Sequence, residues 1–193
     1  MTSAPYTPRQ LDALCEVANV GTGQGADTLS HLLGLRLETQ PPSACAIASA
    51  SEWPGLNAAG WVAMFTVQGG IEAALMLALP KFDAEEMLFR LLKSSGQGLS
   101  TDKGQDALRE AGNIAASAYL NAVAALTKLQ LVPSVPSLLA APKHLEVAKA
   151  WVAGGSALVL DGQFRGTPLS GRLWFVMADK DAHVLLGRLG VMR

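Results

Sequence analysis

From Thr7 onward apolar residues recur at helical spacing. At about 100° per residue, Leu11, Leu14 and Ala18 point one way, while Asp12, Glu16 and Asn19 share the opposite face within roughly 60°. Thr7-Pro8-Arg9-Gln10 supplies the start, with threonine as N-cap, proline at the first helical position and glutamine closing a capping box. The helix continues through Gly21, Gly23, Gly25 and Ala26 to Leu29, Leu32 and Leu33, with Gly34 as its stop. Small residues in mid-helix weaken propensity but let another backbone come close.

Shorter patterns follow. Arg36 to Glu38 and Ala44 to Ser51 read as extended. Trp61 to Val67 and Ala73 to Leu79 read as strands around a Gly69-Gly70 turn, and Asp83 to Lys93 as a short helix capped by Asp83. Ser94 to Gly98 has linker composition. A second long helix is predicted from about Asp102 to Lys128, then an extended Leu129 to Val132 before Pro133 and Pro136. Ala148 to Val152, Ala157 to Leu160 and Leu173 to Met177 read as strands, and Asp181 to Leu189 as a closing helix.

The two long helices carry one pattern twice. Asp12, Glu16, Asn19 and Pro42 are each followed 94 residues later by Asp106, Glu110, Asn113 and Pro136. Each of these residue types is about 5% of an average chain, so chance gives one such match odds of roughly 10⁻⁵ at a given start. A second landmark repeats at 98 residues: Asp83-Ala84, Leu88 and Arg90-Leu91 return as Asp181-Ala182, Leu186 and Arg188-Leu189. The second half therefore holds a net insertion of four residues. Helix, strands and helix done twice predict an α+β internal duplication with pseudo-twofold symmetry, its two long motif helices packed on a mostly antiparallel sheet. The halves run over about 8–93 and 102–193, joined by a linker at 94–101.

Composition narrows the class. Half of the 193 residues are apolar and 16% are charged, which fits a sizeable core and not disorder. A net charge of −1 points to neither a nucleic-acid nor an acidic-membrane partner. Two cysteines, Cys15 and Cys45, make no disulfide framework or zinc site by themselves, so a reducing, cytoplasmic setting is expected. Met1 to Gln10 lacks the apolar core of a signal peptide. Gln68, Gly69, Gly70 and Glu72 interrupt the most apolar stretch, Trp61 to Pro80, as a strand-turn-strand would require.

A polar stripe on one helix is ordinarily a solvated face. Two stripes in register, each followed by a proline at the same distance, call for a function. A side-chain amide holds a donor and an acceptor on one rigid plane, so it can aim a water but is no base at neutral pH. A carboxylate one turn away can pair with a partner's lysine. Neither is a nucleophile. The pair suits a protein that positions water against a group activated elsewhere, as phosphoryl transfer requires. Other features carry less. Gly21-Thr22-Gly23-Gln24-Gly25 follows a helix and lacks the ending of a phosphate loop. His31, His144 and His183 have no ligand spacing, and the four tryptophans fit core positions.

These residues resemble the CheC-type chemotaxis phosphatases, the CheC, CheX and FliY group. The family signature is Asp or Ser, three residues, Glu, two residues, Asn, twenty-two residues, Pro. It occurs twice here, from Asp12 to Pro42 and from Asp106 to Pro136, with Glu16-Val17-Ala18-Asn19-Val20-Gly21 and Glu110-Ala111-Gly112-Asn113-Ile114 as the two Glu/Asn segments. The resemblance implies one CheC-like domain over 1–193 that hydrolyses the aspartyl phosphate of a CheY-type response regulator. Carried over by position, Asn19 and Asn113 orient the attacking water, and Glu16 and Glu110 pair with the regulator's active-site lysine. Asp12, Pro42, Asp106 and Pro136 complete the motif. No cofactor is expected in this chain, since the Mg²⁺ belongs to the regulator. Length favours the CheC subtype over shorter CheX-like members and over FliY-like members with an added switch domain. Two positions depart from the pattern: Asp27 stands where small residues are usual, and Lys128 where the first half has Gly34. The alternative is a chemosensory adaptor that docks a CheD-type deamidase or the flagellar switch with little catalysis.

Overall fold

The computed structural model describes residues 6–93 and 98–191, so residues 94–97 of the expected linker lie outside the described residues. Helix α1 spans Pro8–Leu33 and begins with the predicted capping box. The Gln10 N–H donates to Thr7 Oγ1 at 3.3 Å, and the Thr7 N–H donates to Gln10 Oε1 at 2.9 Å. There follow β1 (Glu38–Thr39), β2 (Ser43–Ile47), short 3₁₀ turns at Ala50–Glu52 and Leu56–Ala58, β3 (Trp61–Gly69), β4 (Ala73–Leu79) and α2 (Lys81–Leu92). The second half gives α3 (Asp102–Thr127), β5 (Leu131–Pro133), β6 (Ser137–Ala140), α4 (Lys143–Ala153), β7 (Ala157–Arg165), β8 (Ser170–Ala178) and α5 (Asp179–Arg188).

Every strand pairing is antiparallel. The order is β1-β7-β8-β4-β3-β5, with β2 also on β7 and β6 also on β3. The halves meet at the centre, where β4 lies beside β8 with Leu75 opposite Phe175. They also exchange edges: β1 and β2 pair with β7 of the second half, while β5 and β6 pair with β3 of the first. The Gln40 N–H donates to the Gln163 carbonyl at 2.9 Å, and the Ser134 N–H to the Thr66 carbonyl at 2.8 Å. Gln40 and Ser134 are themselves 94 residues apart. Such reciprocal contacts are the pseudo-twofold relation in atomic terms.

Three local expectations are corrected. Asp83 does not cap α2, whose N-cap is Pro80 with no side-chain bond. Its carboxylate instead accepts the Ser170 N–H at 2.5 Å, at the start of β8. Asp181 accepts the Glu72 N–H at 3.0 Å, just before β4, so the repeated aspartates tie each half's last helix to the other half's central strand. Ala148 to Val152 belong to α4, not to a strand. Val147, Trp151 and Val152 have strand propensity, but the buried residues His144 and Ala148 stand four apart, on one helical face. The extended reading of Ala44 to Ser51 ends early, because β2 stops at Ile47 and a 3₁₀ turn takes over.

The sheet is covered on both sides. On one side α1, α3, α2 and α5 bury Phe65, Leu75, Leu77, Leu160 and Phe175. On the other, α4 and the 3₁₀ turns cover Val62, Met76, Val159 and Trp174, with Trp53 set edge-on to Trp174 at 5.7 Å.

The motif helices touch directly. A Cβ on Gly21 would lie 2.5 Å from the Tyr119 ring, and one on Gly25 would lie 3.3 Å from the Ala115 carbonyl. The position on α3 falls as that on α1 rises, so the helices run antiparallel. The two contacts also interchange under the 94-residue shift, which places the pseudo-twofold axis at the crossing.

Both helices end in the left-handed region, α1 at Gly34 (φ 62°, ψ 34°) and α3 at Lys128 (φ 58°, ψ 23°). Glycine holds that conformation without strain, whereas a side chain there costs about 1–2 kcal/mol. Lys128→Gly is expected to stabilise the fold by about 1 kcal/mol and to raise Tm by about 2–4 °C, read by thermal unfolding. An unchanged or lower Tm would count against strain at this cap.

Candidate functional site

The predicted site residues fall on two faces, one on each long helix. Helix α1 buries Leu14, Val17, Ala18, Gly21 and Thr22, which leaves Asp12, Glu16 and Asn19 in solvent. Helix α3, capped by Thr101, buries Leu108, Ala111, Gly112 and Ala115. That turns Asp106 and Glu110 outward and leaves Asn113 half-buried. The fold thus presents each Glu/Asn pair without using it. Among the described residues, Glu16, Asn19, Glu110 and Asn113 make no side-chain hydrogen bond or ion pair with the rest of the chain. Asparagine is a poor helix former, so local propensity gives no reason for it at either position.

The prolines bring the chain back beside each helix. After α1 the chain runs through β1 and Pro42 into β2, which packs against α1. After α3 it runs through β5 and Pro136 into β6. The backbone bonds of Gln40 and Ser134 fix both segments two residues before the proline. Both half-sites lie on the helical side of the sheet and open toward opposite edges, α1 beside β1, β2 and β7, and α3 beside β5 and β3.

The second motif is gathered into a depression of about 520 Å³. Asp106, Arg109, Glu110 and Asn113 form its helical wall, and Pro133 to Pro136 form the other. Arg109 Nη1 donates to Asp106 Oδ1 at 2.7 Å, and Nη2 to Gln105 Oε1 at 3.2 Å. At the first motif Asp12 has no such partner among the described residues. Cys15 stands there where the second half has Arg109. Burial raises the Cys15 thiol pKa, opposed by a backbone hydrogen bond at Ala44 and reinforced by Asp12 and Cys45 nearby. The sequence reading passed over Arg109 and Val135. Arg109 stands three residues after Asp106, an ordinary helical ion-pair spacing, and nothing local marks Val135 as part of the wall.

The Glu/Asn pairs can hold a water and a cation, and neither residue type is a nucleophile. Each amide and its neighbouring carboxylate lie on an open face of the helix and not in a deep enclosed pocket. No helix among the described residues is long and apolar enough to cross a membrane.

The fold and its paired ridges define a duplicated α+β protein with two copies of one polar half-site. The model of the CheC-like family matches residues 10–45 and again 104–139, so each match contains one complete motif. A curated relative, the CheY-P phosphatase CheC of Bacillus subtilis (strain 168), is 33% identical over 138 residues. That alignment takes in 67% of this chain and 65% of the relative, so the chain matches just under two thirds of the relative's length. The chain belongs to the CheC-like family. Solved structures share the fold at low identity. Thermotoga maritima FliY superposes with a TM-score of 0.72 at 16% identity, covering 96% of this chain and 98% of that one. A chain of the FliG-FliM complex from H. pylori gives 0.71 at 12%, covering 94% of this chain and 100% of that one.

Proposed function

We propose that the protein is a phosphatase that hydrolyses the aspartyl phosphate of a CheY-type response regulator. The observation that carries this reading is the pair of Glu/Asn ridges, exposed at Glu16, Asn19 and Glu110 and half-buried at Asn113, free of intramolecular partners and repeated about the helix crossing. The likeness to a CheY-P phosphatase supports it. In this mechanism Asn19 or Asn113 enters the regulator's site, and its amide holds a water in line with the phosphorus. The water oxygen bonds to phosphorus, the bond to the aspartyl oxygen breaks, and phosphate leaves with the carboxylate regenerated. Glu16 or Glu110 pairs with the regulator's lysine and fixes the approach. The regulator supplies the Mg²⁺ that balances charge on the phosphoryl group. This chain contributes orientation, the main lever available in such a reaction. Both proteins would act in the cytoplasm.

The test is phosphate release from phosphorylated regulators with substoichiometric amounts of this protein. Multiple turnovers per molecule are expected. The adaptor reading draws on the fold shared with FliM, which was crystallised with FliG. Tight binding to a CheD-type deamidase or a switch protein, with no faster phosphate release from any regulator, would replace the phosphatase reading with the adaptor one.

A further inference from the structure

The 94-residue shift that matches the four motif residues does not match what surrounds them. Cys15 is replaced by Arg109, Glu38 by Val132, Gln40 by Ser134 and Pro41 by Val135. The changes act together. At the second site Arg109 neutralises Asp106 across 2.7 Å, leaving the Glu110 carboxylate as the free charge of the motif. At the first site Asp12 and Glu16 are both free, and Glu38 stands on the adjoining segment with its charge taken up by Arg36 at 3.0 Å. The Cys15 side chain offers no cation to offset Asp12.

The second site also has an apolar lip. Val135 is 86% exposed and Val132 62% exposed, the former lining the depression that holds Glu110 and Asn113. Exposed single valines are common on protein surfaces. Two on the segment that walls a polar half-site, both absent from its counterpart, are a difference between the sites. A phosphorylated partner carries negative charge at its reacting centre. It is repelled less by the second site, and there it can bury apolar surface around the polar contact.

We propose, resting on the phosphatase reading above, that the half-sites are unequal: the Glu110–Asn113 site is the principal docking position for the phosphorylated regulator, with Arg109 and the Val132–Val135 lip setting its affinity. Asn113 is then the dominant catalytic residue and Asn19 the lesser one. Arg109 is a positioning residue that acts by screening Asp106.

The test measures kcat and KM for phosphate release from the phosphorylated regulator in four variants, with Tm as a folding control. Asn113→Ala is expected to remove most of kcat/KM, whereas Asn19→Ala costs about twofold or less. Val132→Ser/Val135→Ser should raise KM roughly tenfold with kcat nearly unchanged, since burial of a valine is worth about that factor in affinity. Arg109→Ala should raise KM, and Arg109→Lys should restore part of the loss by keeping the charge. A merely structural role for Arg109 would instead lower Tm and leave KM alone. Equal losses for the two asparagine variants, a larger loss for Asn19→Ala, or an unchanged KM in the double valine variant overturns the inequality while leaving the phosphatase reading in place. A wild-type protein that does not accelerate release removes both.

Discussion

With Asn19→Ala and Asn113→Ala combined, phosphate release is expected to fall to the regulator's own rate while the fold persists. Both residues lie on helix faces and neither side chain bonds to the rest of the chain among the described residues, so truncation leaves no polar group stranded. Alanine is the better helix former, and each exchange should be neutral or stabilising by about 0.5 kcal/mol. The rate changes for another reason. Losing a group that acts only in the transition state costs about 10²–10³ in rate when that group is well oriented. Glu16→Ala and Glu110→Ala should behave differently, because the proposed lysine contact would be made both before and during reaction. They should raise KM as well as lower kcat/KM. Binding to the phosphorylated regulator and single-turnover hydrolysis separate the effects. Undiminished hydrolysis by the double asparagine variant, with the same Tm, would rule out water orientation by these amides.

The placement of the candidate residues was legible in the sequence because helical spacing is local. Asp, Glu and Asn at positions i, i+4 and i+7 share a helix face whatever the tertiary structure, and the capping box at Thr7 and the stop at Gly34 mark where α1 begins and ends. The equal spacing from Asn19 to Pro42 and from Asn113 to Pro136 disclosed the duplication. The exchange of edge strands was hidden. Pairing of Ser43 with Asp161, or of Gln68 with Val132, is set by partners far away in the chain, and period-two alternation names no partner. Asp83 and Asp181 show the same limit. Each looks like a helix-start residue, yet each carboxylate reaches a backbone N–H in the other half. In α4, the strand-like Val147, Trp151 and Val152 outweighed a helical face defined by only two buried residues. Val135 has meaning only once β5 and β6 bring it beside α3.

Gly21→Leu is expected to have the largest effect on stability, and Gly23 two positions away supplies its control. A Cβ on Gly21 would lie 2.5 Å from a ring carbon of Tyr119, well inside contact distance. Tyr119 is fully buried and set against Phe175 at 5.7 Å with 60° between rings, so it has little room to yield. Either α1 lifts away from α3 or Tyr119 leaves its packing, and overpacking of this kind costs about 3 kcal/mol. For a chain of this length that lowers Tm by about 6–12 °C. Gly23 lies on the same helix with nothing within 4 Å of its Cβ position. Gly23→Ala should therefore gain about 1 kcal/mol from helix propensity alone. Chemical denaturation of the two variants reads both signs in one experiment. If both glycines tolerate substitution equally, the close crossing of α1 and α3 does not hold in solution. The pseudo-twofold axis placed there would then lose its physical basis, because the reciprocal contacts of Gly21 with Tyr119 and Gly25 with Ala115 are what locate it.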